Sequence, residues 1–191
     1  MRRGERLMPE EESRVMLQKG FSGRLAVIGE DGFPYCLPML YVWHDGEVWL
    51  HSARVRGHLR SSIDAEPRVC FEIDEPEQVF PYGRFECDTG LGYCSVILFG
   101  RIRVVEEAAA KQRFFEALMR KYARPEWQAS GAWKERPRDF FPRMDQISLY
   151  AVAVERMTGK RSPLPDAANQ WPALDRTMTP NADPGRAGTD R

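Results

Sequence analysis

Several things are missing from this sequence. It has no long uninterrupted apolar run, so no helix that could cross a bilayer is expected. Its first residues, MRRGERLMPEEE, are charged and lack the apolar centre of a secretory signal. Neither sign of charge is in excess, with 28 basic residues against 28 acidic ones. No overall field therefore draws the chain to nucleic acid, and an anion would have to be held by a local patch. Cysteine is sparse: Cys36, Cys70, Cys87 and Cys94 form no Cys-x-x-Cys pair, which leaves a zinc ribbon or a dithiol redox site without support. A chain of 191 residues needs no disulfide staple. The thiols read as free groups in a reducing, cytoplasmic compartment, with Cys87, in polar surroundings, as the exception. His44, His51 and His58 fall seven residues apart on different elements, so no metal site is expected. P-loops, Gly-x-Ser-x-Gly elbows and paired Cys/His groups are absent, which removes NTPase and hydrolase readings. Gly90-Leu91-Gly92 lacks the third glycine of a dinucleotide loop, since Ser95 stands in its place, and no helix follows.

What is present points to one α+β domain, mainly β. Apolar residues make up 42% of the chain, enough for one sizeable core. A short helix is expected over 9–19, with Pro9 in the first turn and Gly20 at the stop. Strands follow at 24–28, 35–43 and 47–52, separated by the turn signals Asp31-Gly32 and Asp45-Gly46, the pattern of a meander. Pro38 removes a ladder donor, so its strand lies at an edge or is bulged. A short helix over 57–64 and an alternating strand over 68–74 come next. A Pro- and Gly-rich loop over 75–93 leads to a strand over 95–105, a helix over 107–123 and a last strand over 146–157. Residues 161–191 read as a Pro-rich, partly disordered tail, with Trp171-Pro172 as its one apolar anchor. Six strands with flanking helices make a barrel-like sheet.

Three stretches are candidates for chemistry. In HSARVRGHLRSS (51–62) a strand ends, Gly57 permits a tight turn, and a helix begins among Arg54, Arg56, His58 and Arg60, with Ser61 and Ser62 close by. Free N–H groups and bidentate arginines suit a phosphate. The same residues read equally well as a solvated helix face. In PYCLPMLY (34–41) a flat heteroaromatic ring has room against an interrupted strand edge, although by its residues alone the stretch is an ordinary core strand. In CDTGLGYCSVILFG (87–100) Tyr93 and Ser95 present hydroxyls beside a buried strand, which by itself reads as a connecting loop. Glu72 is either a functional carboxylate or a solvent-facing one.

In order, these fragments resemble a known family. G-x-L-A, DG-x-PY-x-x-P, HSA with GHL, and P-x-V-C-F-E-I-D run through residues 23–74, and YCSVILFGR (93–101) and MTGK (157–160) follow. Together they resemble the pyridoxamine 5′-phosphate oxidase-like FMN-binding split barrels, and within them the flavin-nucleotide-binding, nitroimidazole-resistance (NimA-like) branch. The resemblance covers residues 7–160. It implies a six-stranded split β-barrel with flanking helices and a homodimer that binds FMN at its subunit interface. It places Pro38, Met39, Leu40 and Tyr41 along the isoalloxazine edge, and His51, Ser52 and Ala53 on the ribityl and ring side. Arg54 or Arg56, Gly57 and His58 would hold the phosphate, and Tyr93, Ser95 and Val96 would come from the neighbouring region, contributed by the other subunit. Many relatives carry Lys where this chain has His58, so an arginine must contribute, and which one stays open. The arginine-rich substrate pattern of the vitamin B6 oxidases near the C-terminus is absent.

The resemblance therefore implies a flavin-dependent oxidoreductase acting on a small flat substrate, nitroaromatic, quinone-like or pyridoxal-like, with His51 and Tyr93 as candidate proton donors. The alternatives are a non-catalytic flavin or haem carrier or sensor, or a haem-degrading enzyme, on the same barrel. No nucleic-acid, membrane or metal partner is expected.

Overall fold

The protein is described by a computed structural model covering residues 4–81, 89–122 and 144–164. Cys87, Trp171, Pro172 and nearly all of the expected tail lie outside the described residues. A 3-10 turn at Gly4–Arg6 and helix α1 (Glu10–Lys19) lead into β1 (Gly23–Ile28), β2 (Pro34–Met39), β3 (Tyr41–His44) and β4 (Glu47–Ala53). Helix α2 (His58–Ala65), β5 (Arg68–Pro81), β6 (Thr89–Val105), α3 (Ala108–Tyr122), a 3-10 turn at Met144–Gln146 and β7 (Ile147–Ser162) follow among the described residues. The fold is mainly β with flanking helices. All the strand pairs are antiparallel, in the order β2-β1-β5-β6-β7-β4-β3.

That order gives seven strands where six were expected. The stretch expected as one strand over 35–43 is divided at Leu40. Before it, β2 pairs with β1; after it, β3 pairs with β4. The two edges of the sheet are thus consecutive in the chain, separated by one residue. Met39 and Tyr41 cannot be more than about 7.6 Å apart between Cα atoms, so the sheet must curl until its edges meet. The hydrogen-bonded ladder stays open at this seam, and the result is a split barrel. Pro38 lies in edge strand β2, as its missing donor requires.

Side chains alternate between two environments. Leu25, Val27, Tyr41, Val48, Leu50, Phe71, Ile73, Val96, Leu98, Tyr150 and Val152 fill the barrel interior. Each fully buried large side chain contributes about 1.5–3 kcal/mol of apolar transfer. Outside, α3 covers β3, β4 and β7, setting Ala110 and Phe114 on Val42, Trp49, Leu149 and Ala151. Among the described residues no helix covers the outer face of β2, β1, β5 and β6, and Ile28, Cys36, Leu40 and Phe99 are exposed there.

The stretch expected as a loop over 75–93 is largely strand: β5 runs on to Pro81 and β6 starts at Thr89. Pro76 sits at a register shift, where a missing donor does not break the ladder. Gly90 lies under the Phe80 ring, and a Cβ there would stand 2.5 Å from that ring. The glycines thus serve close approach rather than loop freedom. Gly20 ends α1 as expected, but with φ −55°; its space is taken by the Tyr41 hydroxyl. The Asp45-Gly46 turn does need the left-handed region, with φ 50° and 79°. Among the described residues no helix is long and apolar enough to cross a membrane, and no group of three His, Cys, Asp or Glu side chains gathers as metal ligands.

Candidate functional site

Strand β4 ends at Ala53 because the chain must turn away to begin α2. Gly57 caps α2 in an extended conformation, φ −116° and ψ −174°, and supplies no side chain to the helix start. The Ser61 N–H is the first to bond back, to the Gly57 carbonyl at 3.1 Å. The N–H groups of His58, Leu59 and Arg60 therefore have no acceptor within the helix. No side-chain cap covers them, and a Cβ at Gly57 would meet nothing within 4 Å.

The three arginines nearest in the chain are engaged in different ways. Arg54 is fixed, its Nη1 donating to the Asp145 carbonyl at 2.7 Å and its N–H to the Gln146 carbonyl at 2.8 Å. Arg56 is largely exposed, donating to the Ser61 hydroxyl at 3.3 Å and pairing with Asp64 at 3.2 Å. Arg60 holds the other Asp64 oxygen at 2.9 Å. The His58 ring stands edge-on to Tyr35, with centroids 4.5 Å apart, which ties α2 to β2. Ser62 is not part of the opening; it is buried and donates to the His58 carbonyl at 2.8 Å. Three N–H groups without an acceptor in the helix, with Arg54 and Arg56 a few residues before them in the chain, are donors of the kind that suits a phosphate.

Across the seam, Tyr41 is opposite Leu50, so Leu40 and His51 are the next residues along the same pair of strands. Only Leu40 and His51 adjoin in this way: before Leu40 the chain pairs with β1 instead, Met39 opposite Gly23 and Pro38 opposite Arg24. Pro38 and Leu40 are exposed, and Met39 is half-buried against the core. Tyr41 turns its ring into the barrel, and its hydroxyl donates to the Leu17 carbonyl at 2.7 Å. Burial pushes that hydroxyl's pKa up. Tyr41 is wholly buried, and its backbone N–H and C=O are both engaged by the Tyr122 hydroxyl, so it secures the strand rather than offering a free group.

His51 faces α3, lodged between Phe114 and Phe115 with both ring centroids 5.4 Å away. Its Nδ1 is buried without a hydrogen-bond partner, and desolvation lowers its pKa, so the neutral imidazole is favoured. Ser52 points to the other face, 3.1 Å from the Tyr150 hydroxyl. Ala53 is exposed.

Tyr93 and Ser95 are half-buried on the outer face of β6, opposite Pro76 and Asp74, whereas Val96 is wholly buried in the core. They do not join the α2 opening within one chain. Ser95 lies at the level of Asp74, and α2 abuts the other end of β5 at Arg68. Six residues of strand separate the two levels, about 20 Å. Glu72 is engaged by Arg24, whose Nε donates to it at 2.8 Å and whose other arm reaches Asp74.

Sequence reasoning missed Asp64 and Tyr122. The first holds Arg56 and Arg60; the second bonds the Tyr41 backbone from α3. Asp64 was findable, since it stands four residues after Arg60 on a helix. Nothing local links Tyr122 to Tyr41.

The family described as pyridoxamine 5′-phosphate oxidase matches residues 9–161. A comparison with curated proteins finds no match. Among solved structures, the flavocytochrome Anf3 from Azotobacter vinelandii is 15% identical with a TM-score of 0.70, over 88% of this chain and 76% of that one. A protein assigned to 5-nitroimidazole antibiotic resistance from Bacteroides thetaiotaomicron is 17% identical with a TM-score of 0.64, over 81% and 85%. The FAD and heme binding protein from Mycobacterium smegmatis is 19% identical with a TM-score of 0.64, over 84% and 76%. At these identities the likeness speaks for the fold.

Proposed function

The chain belongs to the pyridoxamine 5′-phosphate oxidase family, and from that premise we propose that it binds FMN and acts as a flavin-dependent oxidoreductase on a small flat substrate. The observation that carries this reading is the uncapped start of α2. Its free amides, the fixed Arg54 and the releasable Arg56 form a seat for a phosphate dianion beside strand ends that offer flat, exposed backbone. His58, the first residue of α2, adds an imidazole N–H.

The proposed arrangement puts the phosphate on Arg54, Arg56 and the amides of His58–Arg60, with Gly57 leaving the approach clear. The ring would lie against Pro38, Met39 and Leu40, at the edge of the strand that Tyr41 secures, and the ribityl chain would pass His51, Ser52 and Ala53. When bound, the flavin supplies the electron chemistry, and the protein's part is orientation, exclusion of water and proton supply. Of the candidate proton donors, Tyr93 is half-buried on the outer face of β6; His51 is enclosed by Phe114 and Phe115, where desolvation favours its neutral form, which suits it to shaping the site.

A second copy of the chain completes the reading. Tyr93 and Ser95 lie at the levels of Pro76 and Asp74, six residues or more along β5 from Arg68, where the chain enters β5 after α2, and a partner seated on the outer face of β2, β1, β5 and β6 would bring its own pair to the α2 opening. The expected assembly is a homodimer with two equivalent sites.

The test is direct. Purified protein, alone and after FMN addition, is examined by visible absorbance and by quenching of flavin fluorescence, with its mass measured in solution. Saturable FMN binding by a dimer, weakened at least tenfold in Arg54→Ala/Arg56→Ala, is expected. A protein that ignores FMN overturns the cofactor, a Soret band moves it to haem, and a strict monomer removes the shared site.

A further inference from the structure

The residue that follows the seam is gripped by α3. The Tyr122 Oη lies 3.2 Å from the Tyr41 nitrogen, 3.0 Å from the Tyr41 carbonyl oxygen and 2.7 Å from the Phe21 carbonyl oxygen. As a hydroxyl it accepts from the Tyr41 N–H and shares its one proton between the two carbonyls. An antiparallel strand residue turns its N–H and C=O to the same side, and Tyr41 turns both to Tyr122. Strand β3 is an edge strand, last in the order. At the point where the barrel is split, a single side-chain hydroxyl therefore does what an adjoining strand would do.

The same helix touches the candidate site a second time. Phe114 and Phe115 enclose His51, one position beyond the Leu50–Tyr41 pair. The far end of α3 is secured independently, by Lys111 to Glu106 at 3.1 Å and to the Ile147 carbonyl at 3.4 Å. Helix α3 is thus anchored at its start and bears on the seam with its middle and end.

We propose that Tyr122 is a positioning residue for the seam: it fixes Met39, Leu40 and Tyr41 through the Tyr41 backbone and so links the docking of α3 to occupancy of the site. This inference rests on the reading that the FMN ring lies against Met39 and Leu40. The linkage is reciprocal. Whatever a fixed seam adds to ring binding, a bound ring returns to the docking of α3.

The test uses the full chain and Tyr122→Phe, which keeps the ring against Phe21 and removes only the hydroxyl. FMN affinity is read by fluorescence quenching, ring orientation by visible circular dichroism of the bound flavin, and the Tyr41 amide and α3 by hydrogen exchange. In the variant the Tyr41 amide exchanges faster, FMN binds about three- to tenfold more weakly, as loss of one or two hydrogen bonds implies, and the flavin circular dichroism changes. In the wild type, FMN slows exchange at Tyr41 and in the last turn of α3. Unchanged affinity and circular dichroism in Tyr122→Phe, with only a lower melting temperature, would reduce Tyr122 to a structural contact and overturn the proposal. Absence of any slowing in the wild type overturns it without recourse to a variant. If the wild type binds no FMN, the cofactor reading fails; faster Tyr41 exchange in Tyr122→Phe then still supports the grip on the seam, and unchanged exchange overturns it.

Discussion

Arg56 and Asp64 face each other along α2, guanidinium to carboxylate at 3.2 Å, and Arg60 takes the other carboxylate oxygen at 2.9 Å. Asp64 is thus a built-in competitor for the cations that a phosphate would use. The Arg56 side chain is 64% exposed, and an ion pair in water is worth no more than about 1 kcal/mol. Releasing it costs little, and removing the competitor should help. Asp64→Asn is expected to tighten FMN or phosphate binding about two- to fivefold at low salt, with the gain fading as ionic strength rises. Titration by flavin fluorescence at two salt concentrations checks this, and weaker binding would mean that Asp64 orients the arginines rather than restrains them.

Gly57 separates stability from binding. Its backbone is extended and a Cβ there meets nothing, so the position does not need glycine for folding. An aspartate would cap the bare amides and complement the helix dipole, adding a few tenths of a kcal/mol or more to stability. It would also put a carboxylate where the phosphate belongs. Gly57→Asp is expected to melt at the same temperature or higher and to lose FMN affinity by at least tenfold. Calorimetry and titration on one preparation decide it; retained affinity would remove the phosphate from α2.

Much of this arrangement was legible in the residues. The Asp-Gly turns, the alternation of Val69, Phe71 and Ile73, and the amphipathic 107–123 stretch each gave the element that the structure contains, within a residue or two at the helix ends. The seam was not legible, for a physical reason. Tyr35, Leu37, Met39, Tyr41 and Trp43 keep one unbroken period of two across Leu40, because the strand crosses from one end of the sheet to the other without a change of phase. The alternation reports which side faces the core, and says nothing about which strand lies alongside. The reading of 75–93 as a loop failed similarly, since composition cannot distinguish a glycine that bends from one that admits a ring, as Gly90 admits Phe80. The covering of His51 by Phe114 and Phe115 depends on contacts across more than 60 positions, which a single sequence does not display.

His51 carries a pH signature. Its pKa is lowered by desolvation beneath α3. The unfolded chain, with an ordinary imidazole near 6.5, then binds its proton at higher pH than the folded one. The contribution is fully present above 6.5 and is lost as pH falls through the lower folded value. Wild-type protein is expected to lose more stability between pH 7.5 and 5 than His51→Phe, which retains an aromatic ring between Phe114 and Phe115. Melting temperatures across that range test it, and parallel curves for the two proteins would contradict it.

Lys121 gives the complementary signature on the alkaline side. Its Nζ sits 3.6 Å from the Tyr41 ring centroid, buried and without a hydrogen-bond partner. Desolvation lowers its pKa from 10.5 to about 8. Between those values the unfolded chain still holds a proton that the folded chain has shed, so stability rises with pH across the window. Below about 8 the folded protein holds a charge away from water, offset in part by the ring face beneath it. Lys121→Met keeps the unbranched stem over Tyr41 and removes the charge. It is expected to stabilise the protein by about 1 kcal/mol at pH 7, and the difference should shrink as pH rises from 8 towards 10. Denaturant unfolding at pH 7 and pH 9.5 measures both terms. A destabilised variant at pH 7, with a gap that does not change with pH, would mean that the attraction between ammonium and ring fully offsets the cost of burying the charge.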